Sequence, residues 1–355
     1  MLEIDLPFGQ SSEELDEYLS EGWFRNGYLL AFTPLICMQG DVFVTVPIRA
    51  RLRGHQHGRS NARLLRRNGE RYRVSIGRPQ LDAERERLYQ ETSKRFGGFR
   101  MAMLEDFLDT GPVEGFFDTY EVAVRDGGKL IAVSYFDCGR ESIASLLGLY
   151  DQRYPRASLG IYTMLLEMEY AKERGMAYYY PGYVLQGHDW FDYKLRLGQM
   201  QYRGATGSWR SISDMPRNSK LRQRLYRRIV ALESCFESSG LEFARRVYPL
   251  FWLGELEVMP ELADDYVASP LLVECCSGAD PGERLLAEYL PDEDRYLFVR
   301  ARVSERVAHH IEGVPTAEML DEPSYLSEPL VRIERICDTS DAGSVVLAAA
   351  ALSRE

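Results

Sequence analysis

Cysteine is scarce and unpatterned in this chain. Six are present among 355 residues, at Cys37, Cys138, Cys235, Cys275, Cys276 and Cys337. Their spacing forms neither a metal-ligand set nor the framework of a secreted disulfide scaffold. A reducing cytoplasm is therefore the expected setting. The paired histidines His55-Gln56-His57 and His309-His310 lack nearby partners of metal-ligand type, so no metal is expected. Long apolar runs are missing too, which argues against a membrane span. Met1 is followed by acidic, turn-rich sequence rather than a basic start and an apolar core, so no signal peptide is expected. A surplus of positive charge is also missing. The net charge is −11 and the pI about 5.2, which disfavours a general DNA or nucleic-acid binder. Any RNA contact must come from a local basic patch.

What is present is enough apolar sequence, 45%, for two or three compact units. Residues 1–70 read as a small α/β unit. Ser12 is placed to cap a short helix through Leu19, and the valines 42, 44 and 46 share one face of a strand over Val42–Ile48. Asn61–Arg67 reads as a short basic helix ending at Asn68-Gly69. Residues 71–212 read as the main α/β domain. It holds a helix over Asp82–Arg95, a strand at Thr119–Val124, a hairpin turn at Arg125–Gly128 and strands over Leu130–Asp137 and Ser142–Tyr150. An amphipathic helix, Leu159–Arg174, follows; Ser158 is placed to cap it and Gly175 to stop it. A strand over Ala177–Leu185 comes next. Three strands, a helix and a strand in that order is the acyl-CoA N-acyltransferase (GNAT-like) pattern, a mixed sheet with a splayed pair of central strands and flanking helices. Residues 213–355 read as an α/β extension. It has a long helix or helix pair over Lys220–Arg246 and strands at Leu271–Cys276, Tyr296–Val303 and Leu330–Ile336.

Four constellations could carry chemistry. The first is a run of nine arginines between Arg49 and Arg73, opposed only by Glu70. Such density in an acidic chain is a candidate phosphate footprint; the alternative is a solvated helix face. The second is the segment Arg153–Gly160. It holds one glycine, and bulky Tyr154 and Pro155 occupy the loop. Proline offers no N–H donor, so the pyrophosphate of acetyl-CoA is poorly served here. The helix start at Ser158 remains available to another anion. The third is the aromatic strand. In a regular strand Tyr178 and Tyr180 face away from Tyr179, Pro181 and Tyr183. Their rings could stack on a terminal base or simply pack in the core, and Pro181 points to an edge, bulge or splay. The fourth is Asp151, Asp192 and Lys194, a carboxylate and lysine set suited to handling an ammonium and an oxyanion, or a surface ion pair.

The order of these pieces resembles the arginyl-tRNA–protein transferases and the bacterial aspartate/glutamate leucyltransferases. The resemblance rests on Gly22–Gly27, Pro47-Ile48-Arg49, Ser60–Asn68, Gly128–Val133, Tyr150-Asp151, Ser158-Leu159-Gly160, Tyr178–Tyr183 and Tyr193-Lys194, over roughly residues 20–205. It implies transfer of arginine or leucine from a charged tRNA to the α-amine of a protein or peptide with an acidic first residue. No cofactor beyond the aminoacyl-tRNA is implied. By this likeness Asp151, Lys194 and Tyr193 are the catalytic candidates. Arg49, Arg63, Arg66, Arg67, Ser158, Gly160, Tyr180 and Tyr183 are the candidates for substrate and tRNA contact, with Arg49 or Arg66 as the fork for an acidic side chain. Two departures stand out. Family members carry a Cys-x-x-Cys…Cys cluster where this chain has Cys37 alone, and a Cys-Pro-x-Met flank where it has His188–Asp192. The alternatives are an acyl-CoA-dependent N-acyltransferase and a diverged, non-catalytic binding module.

Overall fold

The computed structural model describes residues 2–94, 101–113, 115–255, 266–276, 282–304 and 324–353. His309-His310 lie outside them. Strands β1 (Glu3–Asp5), β2 (Phe24–Asn26) and β3 (Leu29–Phe32) form a small antiparallel sheet. Between β1 and β2 lies α1 (Leu15–Ser20), which buries Leu15 and Leu19 one turn apart. A single 3-10 turn, Ser12–Glu14, leads into it, and Ser11 rather than Ser12 caps that turn, its amide donating to the Glu14 carboxylate at 2.7 Å.

Strand β4 (Leu35–Met38) turns back into the long β5 (Asp41–Arg51). The helix α2 (Arg59–Arg71) runs four residues past the expected stop at Arg67. Asn68 does not cap it; its side chain is buried and donates to the Ala157 carbonyl at 2.7 Å. Next come β6 (Arg73–Gly77), α3 (Ala83–Ser93), α4 (Leu104–Leu108), β7 (Asp118–Asp126), β8 (Lys129–Cys138) and β9 (Ser142–Tyr150). Asp126 pairs with Lys129, so the expected hairpin turn is in place. Then α5 (Leu159–Glu173) crosses to β10 (Tyr178–Tyr180), followed by β11 (Tyr183–Leu185), β12 (Met200–Arg203) and β13 (Trp209–Ser211).

These strands build one mixed sheet in the order β13-β12-β5-β10-β9-β8-β7-β6, with β4 and β11 also paired to β5. The division expected at residue 70 does not follow this sheet. β5 is one of its central strands, and α2 packs on α5. β10 runs parallel to β9, but only Ser142, Ile143 and Ala144 are paired. Beyond Ala144 the two strands part while β9 continues to Tyr150. This is the splayed pair of a GNAT-like mixed sheet.

Helix α5 covers one face of the sheet, burying Leu159, Leu165 and Met168 against Ile48, Ile131 and Tyr179. The other face packs Tyr180 against Leu15, Leu30 and Phe116. The expected continuous strand over Ala177–Leu185 is two strands. Pro181 and Gly182 interrupt it, and Gly182 sits at φ +89°, a conformation costly for residues with a Cβ. The break shifts the side-chain alternation by one residue. Tyr183 therefore faces away from Tyr179, and Val184 joins the α5-side core instead.

The C-terminal extension begins with α6 (Lys220–Ser239), which buries Leu225, Ile229, Leu232 and Phe236 at helical spacing. Gly240 ends the helix in the left-handed conformation. A five-stranded antiparallel sheet follows in chain order: β14 (Phe243–Val247), β15 (Leu271–Cys275), β16 (Glu283–Leu290), β17 (Arg295–Val303) and β18 (Leu330–Thr339). The closing helix α7 (Ala342–Leu352) packs on α6. This core also takes in Leu35, Val42 and Val44. The Cys37 thiol donates to the Tyr248 carbonyl at 3.7 Å, and burial pushes its pKa up. The segment expected to correspond to the family's cysteine cluster is thus a docking surface for the extension. Among the described residues no helix is long and apolar enough to cross a membrane.

Candidate active site

The splay between β9 and β10 opens toward the short helical turn Asp192–Leu197, which carries Tyr193 and Lys194. Lys194 is half-buried. Its Nζ donates to the Tyr183 carbonyl at 3.1 Å and stands 4.9 Å from the Phe191 ring centre and 5.2 Å from that of Tyr183. No carboxylate pairs with it among the described residues. Burial holds its pKa down to about 8, because the charged form loses water without gaining a counter-ion. A Cβ on Gly182 would lie 3.3 Å from this Nζ. The glycine therefore serves both the backbone turn and the close approach of the lysine. Tyr193 beside it is exposed on one side, and desolvation pushes its hydroxyl up to about 12. It is a hydrogen-bond donor at neutral pH rather than a base.

Asp151 sits just past β9, and its environment differs from that expected of a base. Arg153 donates to both carboxylate oxygens, at 2.8 and 2.7 Å, and Lys129 donates at 2.7 Å. The Arg153 backbone amide adds a bond at 3.0 Å. These partners, Arg153 first, hold the carboxyl well below the usual carboxylate range. A carboxylate so stabilised is a poor proton acceptor. Its visible work is to fix the loop that leads into α5.

That loop is the second part of the site. Residues Pro155–Ala157 form one short helical turn, and Ser158 follows at φ 47°, ψ 49°. Ser158 makes no side-chain cap bond, so the hydroxyl cap expected from the sequence is absent. The left-handed backbone turns that side chain away from the amides it would cap. Gly160 has a packing role: a Cβ there would lie 3.1 Å from the Tyr150 ring. Beside the loop is a cavity of about 520 Å³ lined by Arg67, Arg71, Arg153 and Arg156 together with Asn68 and Tyr154. The Arg67 guanidinium donates to the Arg156 carbonyl at 2.7 Å, which ties α2 to the loop. Arg63 and Arg66 stand exposed on α2 and make no ion pair among the described residues.

Arg49 lies on the other face of the sheet. It is clamped between the rings of Tyr178 and Trp209, at 4.0 and 4.3 Å. It donates to Gln201 at 3.0 Å and to the Tyr180 hydroxyl at 3.3 Å. No carboxylate answers it among the described residues. The sheet therefore separates Arg49 from Arg66, and the two cannot share one ligand group. Tyr180 is buried, and Tyr183 is enclosed by Phe24 and Phe191 at 5.2 and 5.4 Å. Neither ring has a free face for a base. They position Arg49 and Lys194 instead.

Two buried charges were not singled out by sequence reasoning. Arg25 donates to Asp137 at 3.0 Å, to Thr119 at 2.9 Å and to the carbonyls of Leu108 and Asp109 at 3.0 Å each. Glu167 of α5 is fully buried and accepts from the Tyr179 hydroxyl at 2.7 Å. Burial pushes its carboxyl up to about 7. A signal was available: Leu159, Thr163 and Glu167 share one helical stripe, and a glutamate on a buried stripe needs a partner. Asp192, by contrast, is partly exposed, with desolvation raising its pKa. His57 is bound by Glu169 at 2.8 Å.

Residues 79–203 match the family described as arginine-tRNA-protein transferase, C terminus. The chain is 28% identical over 189 residues to an aspartate/glutamate leucyltransferase of Leptospira interrogans, covering 52% of this chain and 72% of that protein. It is 26% identical over 223 residues to the protein of that name from Ruegeria pomeroyi, covering 61% and 79%. The structure of L-PGS from Bacillus licheniformis is similar with a TM-score of 0.34 at 13% identity, over 56% of this chain and 63% of that one. FemX is similar with a TM-score of 0.33 at 9% identity, over 52% and 64%. Residues 79–203 are thus similar to the C-terminal part of the arginine-tRNA-protein transferases, and proteins named aspartate/glutamate leucyltransferase are among the chain's relatives.

Proposed function

We propose that this protein is an aminoacyltransferase. It would move leucine or arginine from a charged tRNA to the α-amine of a protein or peptide whose first residue is acidic. The observation that carries the reading is the arginine-lined cavity at the entrance of α5. It lies beside a loop whose Pro155 and left-handed Ser158 offer poor N–H geometry to a pyrophosphate, and its guanidinium groups support reading it as the seat of a donor phosphate. Side-chain guanidinium groups replace the backbone cradle, which suits the phosphates of an RNA 3′ end. The alternative donor, an acyl-CoA, is served less well.

In this reading the acceptor amine attacks the ester carbonyl. A C–N bond forms, the C–O bond to the ribose breaks, and the amine loses one proton while the ribose oxygen gains one. Lys194 stands at the splay with a pKa near 8, so it is a stronger acid than an ordinary lysine. It protonates the leaving oxygen and is reprotonated by the ammonium that the neutral amine becomes once its C–N bond has formed. The ester is already activated, so positioning supplies much of the remaining rate, and we propose no cofactor beyond the charged tRNA. Arg49, held flat by two rings and without a carboxylate of its own, reads the acidic side chain of the acceptor. The proposed setting is the cytoplasm, where charged tRNA is available.

The test is transfer of label from a charged tRNA pool to peptides beginning with Asp, Glu or Lys. Label entering only the acidic peptides, from leucyl- or arginyl-tRNA, supports the reading. Arg49→Gln should then raise KM for the Asp peptide more than tenfold and leave tRNA affinity unchanged. Transfer from an acyl-CoA, or none from any charged tRNA, would overturn it.

A further inference from the structure

The family match ends at residue 203, yet the next helix, α6, forms one wall of a cleft of about 900 Å³. The opposite wall is the segment Gln186–Trp190, immediately before the Lys194 turn. Gln186 bridges the two walls by donating to the Pro216 carbonyl at 2.7 Å. Arg222 fixes α6 to β5 through Asp41, at 2.8 Å, and the Val42 carbonyl, at 2.9 Å. The cleft is thus a built junction between the transferase sheet and the extension.

Two of the cations that line it, Arg217 and Arg227, have no local partner of opposite charge among the described residues. Arg227 belongs to a stripe of α6 at helical spacing whose other members, Lys220 and Arg224, stand on the flank of the cleft rather than in its lining. All four are exposed. None makes an ion pair within the described residues, although Arg224 feels the carboxylate of Asp294. The first turn of α6 holds no acidic residue. Cations at a helix N-terminus oppose the helix dipole, so this stripe weakens the isolated helix instead of supporting it. In a chain of net charge −11, such a stripe fits a polyanion. The facing wall supplies flat rings: Trp190 lies 4.4 Å from His188 and 5.6 Å from Phe43, ring centre to ring centre. Cations tracking a backbone beside aromatic rings suit RNA better than an acidic peptide, which calls for fewer charges and no stacking.

The position agrees. Trp190 is next to Phe191, whose ring lies under Lys194. On the other side, Asn61 of α2 donates to the Arg196 and Leu197 carbonyls at 2.8 and 3.2 Å. The Asp192–Leu197 turn therefore connects the basic helix α2 with the cleft. We propose that the α6 cleft is a second RNA surface, which holds the body of the tRNA while its 3′ end occupies the arginine cavity beside α5. This inference rests on the aminoacyl-tRNA reading above.

The experiment compares full-length tRNA with a short acceptor-stem hairpin, both uncharged, binding to the whole protein over a salt series. The triple variant Arg217→Ala, Lys220→Ala, Arg227→Ala should weaken full-length tRNA and lower its salt slope by about 3. Hairpin binding should be unchanged. Trp190→Leu should weaken full-length tRNA at all salt concentrations. Arg67→Ala with Arg156→Ala should weaken both RNAs, which reports on the 3′-end cavity separately. Equal loss on both RNAs in the triple variant, no loss on either, or a raised KM for acceptor peptide alone would overturn the cleft assignment. Failure of the unaltered protein to bind any tRNA would overturn the underlying reading instead.

Discussion

Replacing Lys194 with methionine keeps the length of the side chain and removes its charge, and the structure assigns that charge a measurable cost. The amine is held at about 8, against an ordinary 10.5, because burial strips water from it and no carboxylate compensates. If the group were sealed from water, that difference would correspond to roughly 3 kcal/mol. Lys194 is only half-buried, so about 2 kcal/mol is the reasonable expectation. The sign follows from linkage. Between pH 8 and 10.5 the unfolded chain binds the proton that the folded chain has released, so stability rises with pH through that window. Below pH 8 the penalty is fully present. Lys194→Met should therefore be about 2 kcal/mol more stable than the parent at pH 7, and the gap should close toward pH 10.5. Urea unfolding of both proteins at a series of pH values reads this directly, since other titrating groups cancel in the difference. Transfer activity should fall by about 10²–10⁴. A variant less stable than the parent at pH 7, or a gap that ignores pH, would show that Lys194 is well solvated and that the proposed acid is an ordinary surface lysine.

Other expectations follow from the same geometry. Asp151→Asn should lower stability by about 1–3 kcal/mol, because it strips Arg153 and Lys129 of their shared partner. Measurable transfer should remain, with the acidic limb of its pH profile unmoved; a complete loss of activity at unchanged Tm would restore Asp151 as the base. Glu167→Gln should match the parent at pH 5 and exceed it by about 1–3 kcal/mol at pH 8. The folded-state carboxyl is raised to about 7, so the parent loses stability as pH rises past its unfolded value. Arg25→Lys cannot reproduce the bonds to Asp137, Thr119 and two carbonyls, and should cost about 3–5 kcal/mol by denaturant unfolding. Ser158→Gly relieves a left-handed residue and should leave stability unchanged or raise it by up to about 1 kcal/mol. If its hydroxyl meets the donor, kcat/KM falls all the same.

Much of the transferase sheet was legible because its signals are local. Ser142–Tyr150 and the Asp126–Lys129 hairpin carry their own pattern and turn chemistry, and α5 shows its stop at Gly175. β16 reads Glu-Arg-Leu-Leu-Ala-Glu-Tyr-Leu, a composition at home in a helix. Its strand state is imposed by neighbours on both sides, β15 and β17. The basic, apolar run through Arg246 continues the helical pattern and so hides β14, although Gly240 is a plain stop signal. Asp341, which accepts from the Ser344 amide at 2.8 Å, and the alanine run after it spell out α7; reading the extension as strands and turns passes over it. Within the site, residue type pointed to Lys194, Arg49 and Arg67, but accessibility did not follow from type. Tyr180 and Tyr183 are enclosed, and Asp151 is occupied by two cations. Such facts depend on which distant strands meet, and no spacing rule encodes that.

The place of β5 has a consequence for how the chain acquires its shape. Arg51 pairs with Tyr178, and Arg49 with Gln201. Closing a loop of that length costs roughly 4 kcal/mol of chain entropy before any contact repays it. During synthesis β5 emerges early with β4 as its neighbour, and its face of Val42, Val44, Val46 and Ile48 waits until β10, β11 and β12 have been made. The hairpin β7–β8–β9 can form meanwhile, but its sheet stays open on one side. A nascent chain stalled near residue 170 would therefore expose both a central strand paired to β4 alone and an unpaired sheet edge. Unpaired strand edges and exposed apolar faces of that kind are templates for aggregation.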